Sequence, residues 1–243
     1  MSRTIRIIHG PTEAEPFVVV DKPAGLPSAP LRDGDDSALT QAVALFPDIA
    51  DVAGRKPVEK GLLHRIDTAT RGLLLIAATD EACAFLAGAQ ERGQFQKWYR
   101  ATVDHVLDAA ERLGGFPAPP FAGSSRFGQD TIVIQSRFRA YGKNGHAVRP
   151  VSEQSGRAAC KKSGNILYRT EVTIRDGASV ICTIRAGYRH QVRCHLAWLG
   201  LPVRNDPLYH PFAHETAGEL AFTAYKIAFP HPKASGLVQY TVE

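Results

Sequence analysis

A run of aliphatic residues, Leu73 to Ala78 (LLLIAA), constrains this chain more than any other feature. It falls far short of the roughly 20 apolar residues that a membrane-spanning helix needs. It has no polar position at either the helical or the alternating period, so it reads as a central strand buried on both faces. A second apolar run, Phe17 to Asp21 (FVVVD), reads as a strand that ends at the Pro23 and Gly25 turn signal of DKPAGLP. Strands of this kind need cover on both sides, and 243 residues suffice to supply it.

The rest of the chain offers that cover. Ser37 to Phe46 reads as a helix: Ser37 can cap it, Leu39, Val43 and Phe46 recur at helical spacing, and Pro47 stops it. Asp80 is placed to cap a second helix, with Cys83, Phe85 and Leu86 as its apolar stripe and Gly93 as its end. Lys97 to Asp104 alternates as a strand does, with Tyr99, Ala101 and Val103 on one face and Trp98, Arg100 and Thr102 on the other. Thr131–Gln135, Tyr168–Arg175 and Ser179–Arg185 read as further strands, the last two joined by the hairpin signal Asp176-Gly177. His190 to Leu199 reads as a helix stopped by Gly200, with Pro202 beyond. Leu220 to Phe229 reads as a late strand closed by Pro230. The segments Leu107–Gln129 and Gly142–Gly164 are rich in Gly, Pro, Ser and charge and read as long excursions from one core. Together these predict an α+β fold in one domain, residues 1–243, with a largely antiparallel central sheet flanked by helices and long loops.

Composition narrows the function. The opening MSRTIRIIHG has no apolar signal-peptide core, so the chain is expected in the cytoplasm and not in a membrane. Cys83, Cys160, Cys182 and Cys194 form no CxxC pair and no zinc-finger spacing, so reduced, mostly buried thiols are expected. No nucleotide or metal motif is present, and no cofactor or metal is expected. A net charge of +5 says little by itself. Between Arg137 and Arg169, however, eight Lys and Arg residues face a single acid, Glu153, with Phe138, Tyr141 and Tyr168 interleaved. That stretch is either a solvated loop or a nucleic-acid surface.

Two segments carry chemistry. In GLLHRIDTATRGLLLIAAT, from Gly61 to Thr79, an Asp-containing turn abuts the aliphatic strand. Burying the Asp67 carboxylate costs several kcal/mol unless it is paired; alternatively its side chain caps the turn over Thr68 and Thr70. In IRAGYRHQVRCHLAWLGLPVRNDPL, from Ile184 to Leu208, Arg189 and Arg193 are four apart and are expected to share a helical face. Cations near a helix start oppose the dipole, which favours a phosphate or carboxylate partner over a plain solvated face. His190 and His195 are five apart, the wrong spacing for two metal ligands on one face. Tyr99 reads as a core tyrosine or as a platform for a base.

In order and spacing, these segments resemble the RluA-type family of RNA pseudouridine synthases. VVVDKPAGLP resembles the family's opening strand and KPAG loop, HRIDTATRG its HRLDxxTSG signature, KWYRATV its KxYxAxV strand, and HQVRCHLAWLGLPVRNDPLY its HQIRxHLAxxGxPIxGDxxY segment. FTAYKIAFPHP resembles its closing strand. The resemblance covers about Val18 to Pro232 and implies the pseudouridine synthase fold. It also implies a cofactor-free isomerisation of uridine in ribosomal or transfer RNA. It assigns Asp67 as the catalytic carboxylate, Tyr99 as the active-site tyrosine and Arg193 as the arginine that pairs with the carboxylate. Arg65, Arg71, Lys97, Arg189, His190, Gln191, Lys161 and Lys162 are the expected RNA or substrate contacts. The signature's Ser is Arg71 here, the family's GRT reads Gly187-Tyr188-Arg189, and the Gly before DPLY is Asn205. No S4 RNA-binding domain is expected, because the chain opens almost directly on the first catalytic strand. A monomer is expected. Two competing readings are a non-catalytic RNA-binding protein and a hydrolase using Asp67 with His64 or His190.

Overall fold

The structure is a computed structural model, and it describes residues 3–32, 34–120, 131–213 and 218–243. In chain order the strands are β1 (Arg6–His9), β2 (Phe17–Lys22), β3 (Arg71–Ala77), β4 (Gln96–Thr102), β5 (Thr131–Tyr141), β6 (Ala147–Val151), β7 (Tyr168–Asp176), β8 (Ser179–Ile184), β9 (Phe222–Pro230) and β10 (Leu237–Thr241). The helices are α1 (Ala38–Leu45), α2 (Asp80–Glu91), α3 (Ala109–Leu113), α4 (Arg157–Lys161) and α5 (Gln191–Trp198). The chain divides into two compact units, Met1–Trp98 with Thr223–Glu243, and Tyr99–Phe222. The division falls inside β4.

In the first unit β2 pairs antiparallel with β1 and with β3, and β10 pairs antiparallel with β9. The exception is β3 with β9, which run parallel at Arg71↔Thr223 and Gly72↔Ala224. The aliphatic run is therefore an interior strand, and Leu73, Leu74, Leu75, Ile76 and Ala77 are all fully buried. Phe17, Val19, Leu73 and Leu75 pack with Leu86 of α2, Phe95 and Phe229. Ser37 caps α1 as its sequence predicts: its hydroxyl accepts the Thr40 N–H at 3.1 Å, and the Thr40 hydroxyl accepts the Ser37 N–H. The cap of α2 is Thr79, one residue before the expected Asp80; Asp80 instead accepts the Ala53 N–H at 2.7 Å. The buried stripe of α2 is Ala82, Cys83, Leu86 and Ala89. Phe85 lies at its edge and is exposed.

In the second unit β7 and β8 form the hairpin that Asp176-Gly177 predicts, and the Asp176 carboxylate accepts the Ser179 N–H at 3.0 Å. β5 is long because it has two partners: Thr131–Ser136 pairs with β7 and Arg137–Tyr141 with β6, both antiparallel. The segment 142–164, expected to be a loop excursion, thus holds a buried strand, β6, and the short α4. Pro150 masks β6 in the sequence, because proline is tolerated only where a strand has one hydrogen-bonded neighbour. The excursion expected over Leu107–Gln129 contains α3 and lies partly outside the described residues. Every residue of α5 is buried. β1 and β10 also escape sequence reading, being short strands with few fully buried positions.

Candidate active site

Asp67 lies on a loop of the first unit that is fixed on both sides. Before it, Leu63 N–H donates to the Leu75 carbonyl at 3.0 Å, tying the loop to β3. Ile66 is buried, and the Ser28 hydroxyl satisfies both its backbone groups, accepting its N–H at 3.1 Å and donating to its carbonyl at 2.8 Å. After it, Thr70 N–H donates to the Asp67 carbonyl at 2.9 Å, so a backbone bond closes the turn over Thr68 and Thr70. Asp67 itself remains half-buried between these anchors. Gly72 ends the loop with φ +133°, and a Cβ there would lie 2.2 Å from the Ala224 carbonyl oxygen. Only glycine lets β3 meet β9 so closely.

A cation stands behind this loop. The Lys22 side chain is fully buried, and its ammonium donates to the carbonyls of Leu26 at 2.7 Å, Pro23 at 2.9 Å and Thr68 at 3.2 Å. All three donors of the ammonium are thereby engaged, and they join the KPAG loop to the residue after Asp67. Gly25 N–H makes a parallel tie to the Thr68 carbonyl at 2.7 Å. Burial lowers the Lys22 pKa from 10.5 to about 8, against the pull of the Asp67 and Asp21 carboxylates, which favour its charged form. Asp21, also buried, accepts from Arg71 at 2.9 Å and from Arg6 at 3.1 Å.

Other expected residues of the first unit divide. Arg65 is exposed and pairs with Glu59 at 3.2 Å. Lys97, expected to touch RNA, is instead buried, with its ammonium 5.5 Å from the Phe95 ring centre. The cause is the strand period, which puts it on the same face as Tyr99 and Ala101. Burial lowers its pKa to about 8. His64 accepts the Leu75 N–H at Nε2, at 3.3 Å. Burial, and then the charge of Lys97, hold its pKa well below 6.5. A ring so committed does not suit the general base that the hydrolase reading requires.

In the second unit the HQVR segment is tied to the NDPLY segment residue by residue. Arg193 donates through Nε and Nη2 to both oxygens of Asp206, each at 2.7 Å, with the two side chains 3% and 0% exposed. Asp206 also accepts the N–H groups of Leu208 and Tyr209. His190 Nδ1 lies 3.0 Å from the Tyr209 hydroxyl, which accepts the Val148 N–H at 2.9 Å. Gln191 is buried, bonding the Tyr188 N–H, the Arg169 carbonyl and the Thr170 hydroxyl. His195 bridges Ser136 and Thr170, each at 2.8 Å, and burial lowers its pKa to about 3. That Ser–His pair is sealed in the interior, where no substrate reaches it.

Arg189 does not share a helical face with Arg193. α5 begins at Gln191, and His190 precedes it with φ +57°. Arg189 therefore lies outside the helix, exposed, donating to the carbonyls of Gly145 and Ala147. The basic stretch also divides: Lys161 and Lys162 are exposed at the end of α4. Arg149 is buried, bonding the carbonyls of Leu113, Gly114 and Val148, with its guanidinium over the rings of Tyr141 and Phe116. Tyr99 is 7% exposed, and one face of its ring stacks on Phe222 at 5.0 Å and 4°. Tyr188 stacks on Phe138 at 5.0 Å. Asn205 sits at φ +60°. It keeps the left-handed backbone that a glycine would adopt, as asparagine can.

Lys22, Asp21, Asp206 and Tyr209 were not singled out as site residues by sequence. Each falls inside a quoted motif, and its partner is what a linear reading lacks. Among the described residues no group of three or more His, Cys, Asp or Glu side chains is placed to hold a metal ion, and no helix is long and apolar enough to cross a membrane.

With a fixed carboxylate loop, a cation behind it and the paired HQVR helix in place, comparison with known proteins defines the class. The family of RNA pseudouridylate synthases matches residues 16–198, and the chain belongs to that family. It is 28% identical over 240 residues to the ribosomal large subunit pseudouridine synthase D of Zymomonas mobilis, covering 95% of this chain and 67% of that protein. It is 29% identical over 223 residues to an uncharacterized RNA pseudouridine synthase of Chloroflexus aurantiacus, covering 91% and 61%. The chain thus spans about two thirds of the length of these relatives. Among solved structures, human RNA pseudouridylate synthase domain containing 1 matches with a TM-score of 0.69 at 16% identity, covering 99% of this chain and 84% of the other. That likeness establishes the pseudouridine synthase fold.

Proposed function

We propose that this chain isomerises uridine to pseudouridine in ribosomal or transfer RNA, with Asp67 as the acting carboxylate. The reaction breaks the bond between ribose C1′ and uracil N1, and the base turns and bonds to C1′ through C5. The C5 proton leaves and N1 takes one up, so the conversion is redox-neutral and calls for no electron carrier. The observation that carries this reading is the half-buried Asp67, anchored before and after by backbone bonds, with the buried Lys22 ammonium bonded to the carbonyl of the next residue, Thr68. A carboxylate must be ionised to act as nucleophile or base.

In this reading Arg193, whose Nε–Nη2 edge is held by Asp206, is the arginine that pairs with the acting carboxylate. A guanidinium has donors enough for both carboxylates. Tyr99 meets the uracil with the ring face opposite Phe222 and moves the proton from C5. Such geometry is inaccessible inside a duplex, so the target uridine is flipped out or already unpaired. Arg65, Arg189, Lys161 and Lys162 contact the RNA strand, supported by their exposure. His190, Gln191 and Lys97 act indirectly by holding the scaffold. The two units work together as one catalytic domain, as a monomer in the cytoplasm; four free cysteines suit a reducing compartment.

The test has two arms. RNA labelled with tritium at uracil C5 should release its label with the wild-type chain and not with Asp67→Asn. Carbodiimide mapping of RNA from cells lacking the protein should lose a primer-extension stop at the target. Equal release by Asp67→Asn would remove the carboxylate from the reaction.

A further inference from the structure

Asp21 carries more cation than its burial requires. Its carboxylate is 5% exposed and is met by two guanidiniums, Arg71 at 2.9 Å and Arg6 at 3.1 Å. A buried carboxylate needs one good partner to offset its desolvation. Here two arginines share it, and Lys22, the next residue, adds a third charge nearby. The arginines are not buried with it: Arg6 is 62% and Arg71 is 47% exposed. Each is held by Asp21 on one side and remains partly exposed.

The placement follows from strand register. Arg6 stands directly across from Asp21 in the β1–β2 pair. Leu73 stands across from Asp21 in the β2–β3 pair, and Arg71, two residues before Leu73, faces the same side. Arg71 is also four residues after Asp67, and Lys22 reaches the Thr68 carbonyl. The arginine pair therefore flanks the catalytic loop within one unit. Arg3 adds a cation over the KPAG loop, its side chain filling the space where a Cβ on Gly25 would stand. Acids of the nearby segment have other bonds: Asp35 accepts the Arg32 N–H and Asp36 accepts from Gln41.

We infer that Arg6 and Arg71, oriented by Asp21, form a binding site for a backbone phosphate of the RNA strand beside the target uridine. Guanidiniums fixed in plane by a carboxylate are pre-organised for phosphate, whose oxygens accept their paired N–H groups. Arg71 stands where the family pattern has Ser, so this site gives that departure a role. The inference rests on the activity proposed above and adds a contact to it.

The test uses the Asp67→Asn chain and an unmodified transcript of large-subunit ribosomal RNA, with affinity measured across a series of KCl concentrations. Arg6→Gln and Arg71→Ser should each weaken binding about tenfold at low salt. Each should also reduce the slope of log affinity against log salt by about 0.7–0.9. Asp21→Asn with Arg71→Ser removes both charges of the pair, strands no buried carboxylate and keeps the net charge; it should still lose affinity. Unchanged affinity and slope in the Arg6→Gln/Arg71→Ser chain, on RNA that the wild type modifies, would overturn the phosphate site and leave the activity standing. Salt-sensitive binding lost with these arginines, in a chain whose wild type forms no pseudouridine, would keep the site and overturn the activity.

Discussion

The HRID loop and the HQVR helix are equally dense in polar motif residues, yet the molecule treats them in opposite ways. Around Asp67 the backbone is pinned by Ser28, Leu75 and Thr70, and the carboxylate itself is half-buried. Along α5 the side chains themselves are consumed: Arg193 by Asp206, His190 by Tyr209, Gln191 by Thr170 and Arg169, His195 by Ser136. The first arrangement fixes the backbone on both sides of one half-buried carboxylate. The second is a buried polar network, which rigidifies a core when every member is satisfied. Two motifs of equal polar density are thus held differently, one through its backbone and the other through its side chains.

That contrast can be broken by substitution. The largest effect should come from Asp67→Asn, which should lower turnover by about three orders of magnitude or more with the thermal midpoint hardly moved, as tritium release and calorimetry would show. Arg193→Ala should instead destabilise the chain by about 3–5 kcal/mol, because it leaves Asp206 buried and charged. Replacing both, Arg193→Met with Asp206→Asn, removes the stranded charge, keeps an acceptor for the Leu208 and Tyr209 N–H groups, and should restore part of that stability in denaturant titration. If Arg193→Ala folded as stably as wild type, the scaffold reading of α5 would be wrong.

Tyr99→Phe should come next. It keeps the ring stacked on Phe222 and removes the hydroxyl, so RNA should still bind while product formation slows by about a hundredfold. Single-turnover kinetics would separate the two steps.

A smaller effect is set by pH. The Lys22 pKa is lowered to about 8, so the side chain is cationic below pH 8 and neutral above it. Its hold on the Leu26, Pro23 and Thr68 carbonyls beside the Asp67 loop should weaken as pH rises through 8, and kcat/KM should fall with it. Lys97 also titrates near 8, so the alkaline fall should survive in Lys97→Met and vanish, at a lower plateau, in Lys22→Met. The smallest effect belongs to Lys161→Ala with Lys162→Ala. These exposed cations should change RNA affinity severalfold at low salt and similarly for all RNA sequences; indifference to salt would leave the pair as plain surface.

The aliphatic run, the Asp176-Gly177 hairpin, the Ser37 cap and the period-2 face of Tyr99 were legible in one dimension, because each depends on residues close in the chain. So were the two motif segments that place the chain in its family. β6 was hidden by Pro150, and Arg149 was counted among the surface cations although it is buried against Tyr141 and Phe116. Lys97 was assigned to the RNA although its own strand face turns it inward. The burial of Arg149 depends on neighbours far away in sequence, whereas the face of Lys97 was already set by its own strand.

Local pattern therefore settles which segments form strands and helices and which residues have the chemistry to act. It cannot say which of those residues are held through their backbone and which through their side chains. Asp67 and Arg193 look alike as motif letters; Asp206, Lys22 and Ser28, brought in from other segments, set their surroundings. The physical reason is that desolvation and hydrogen-bond pairing depend on the packed neighbourhood, which exists only once the chain has folded.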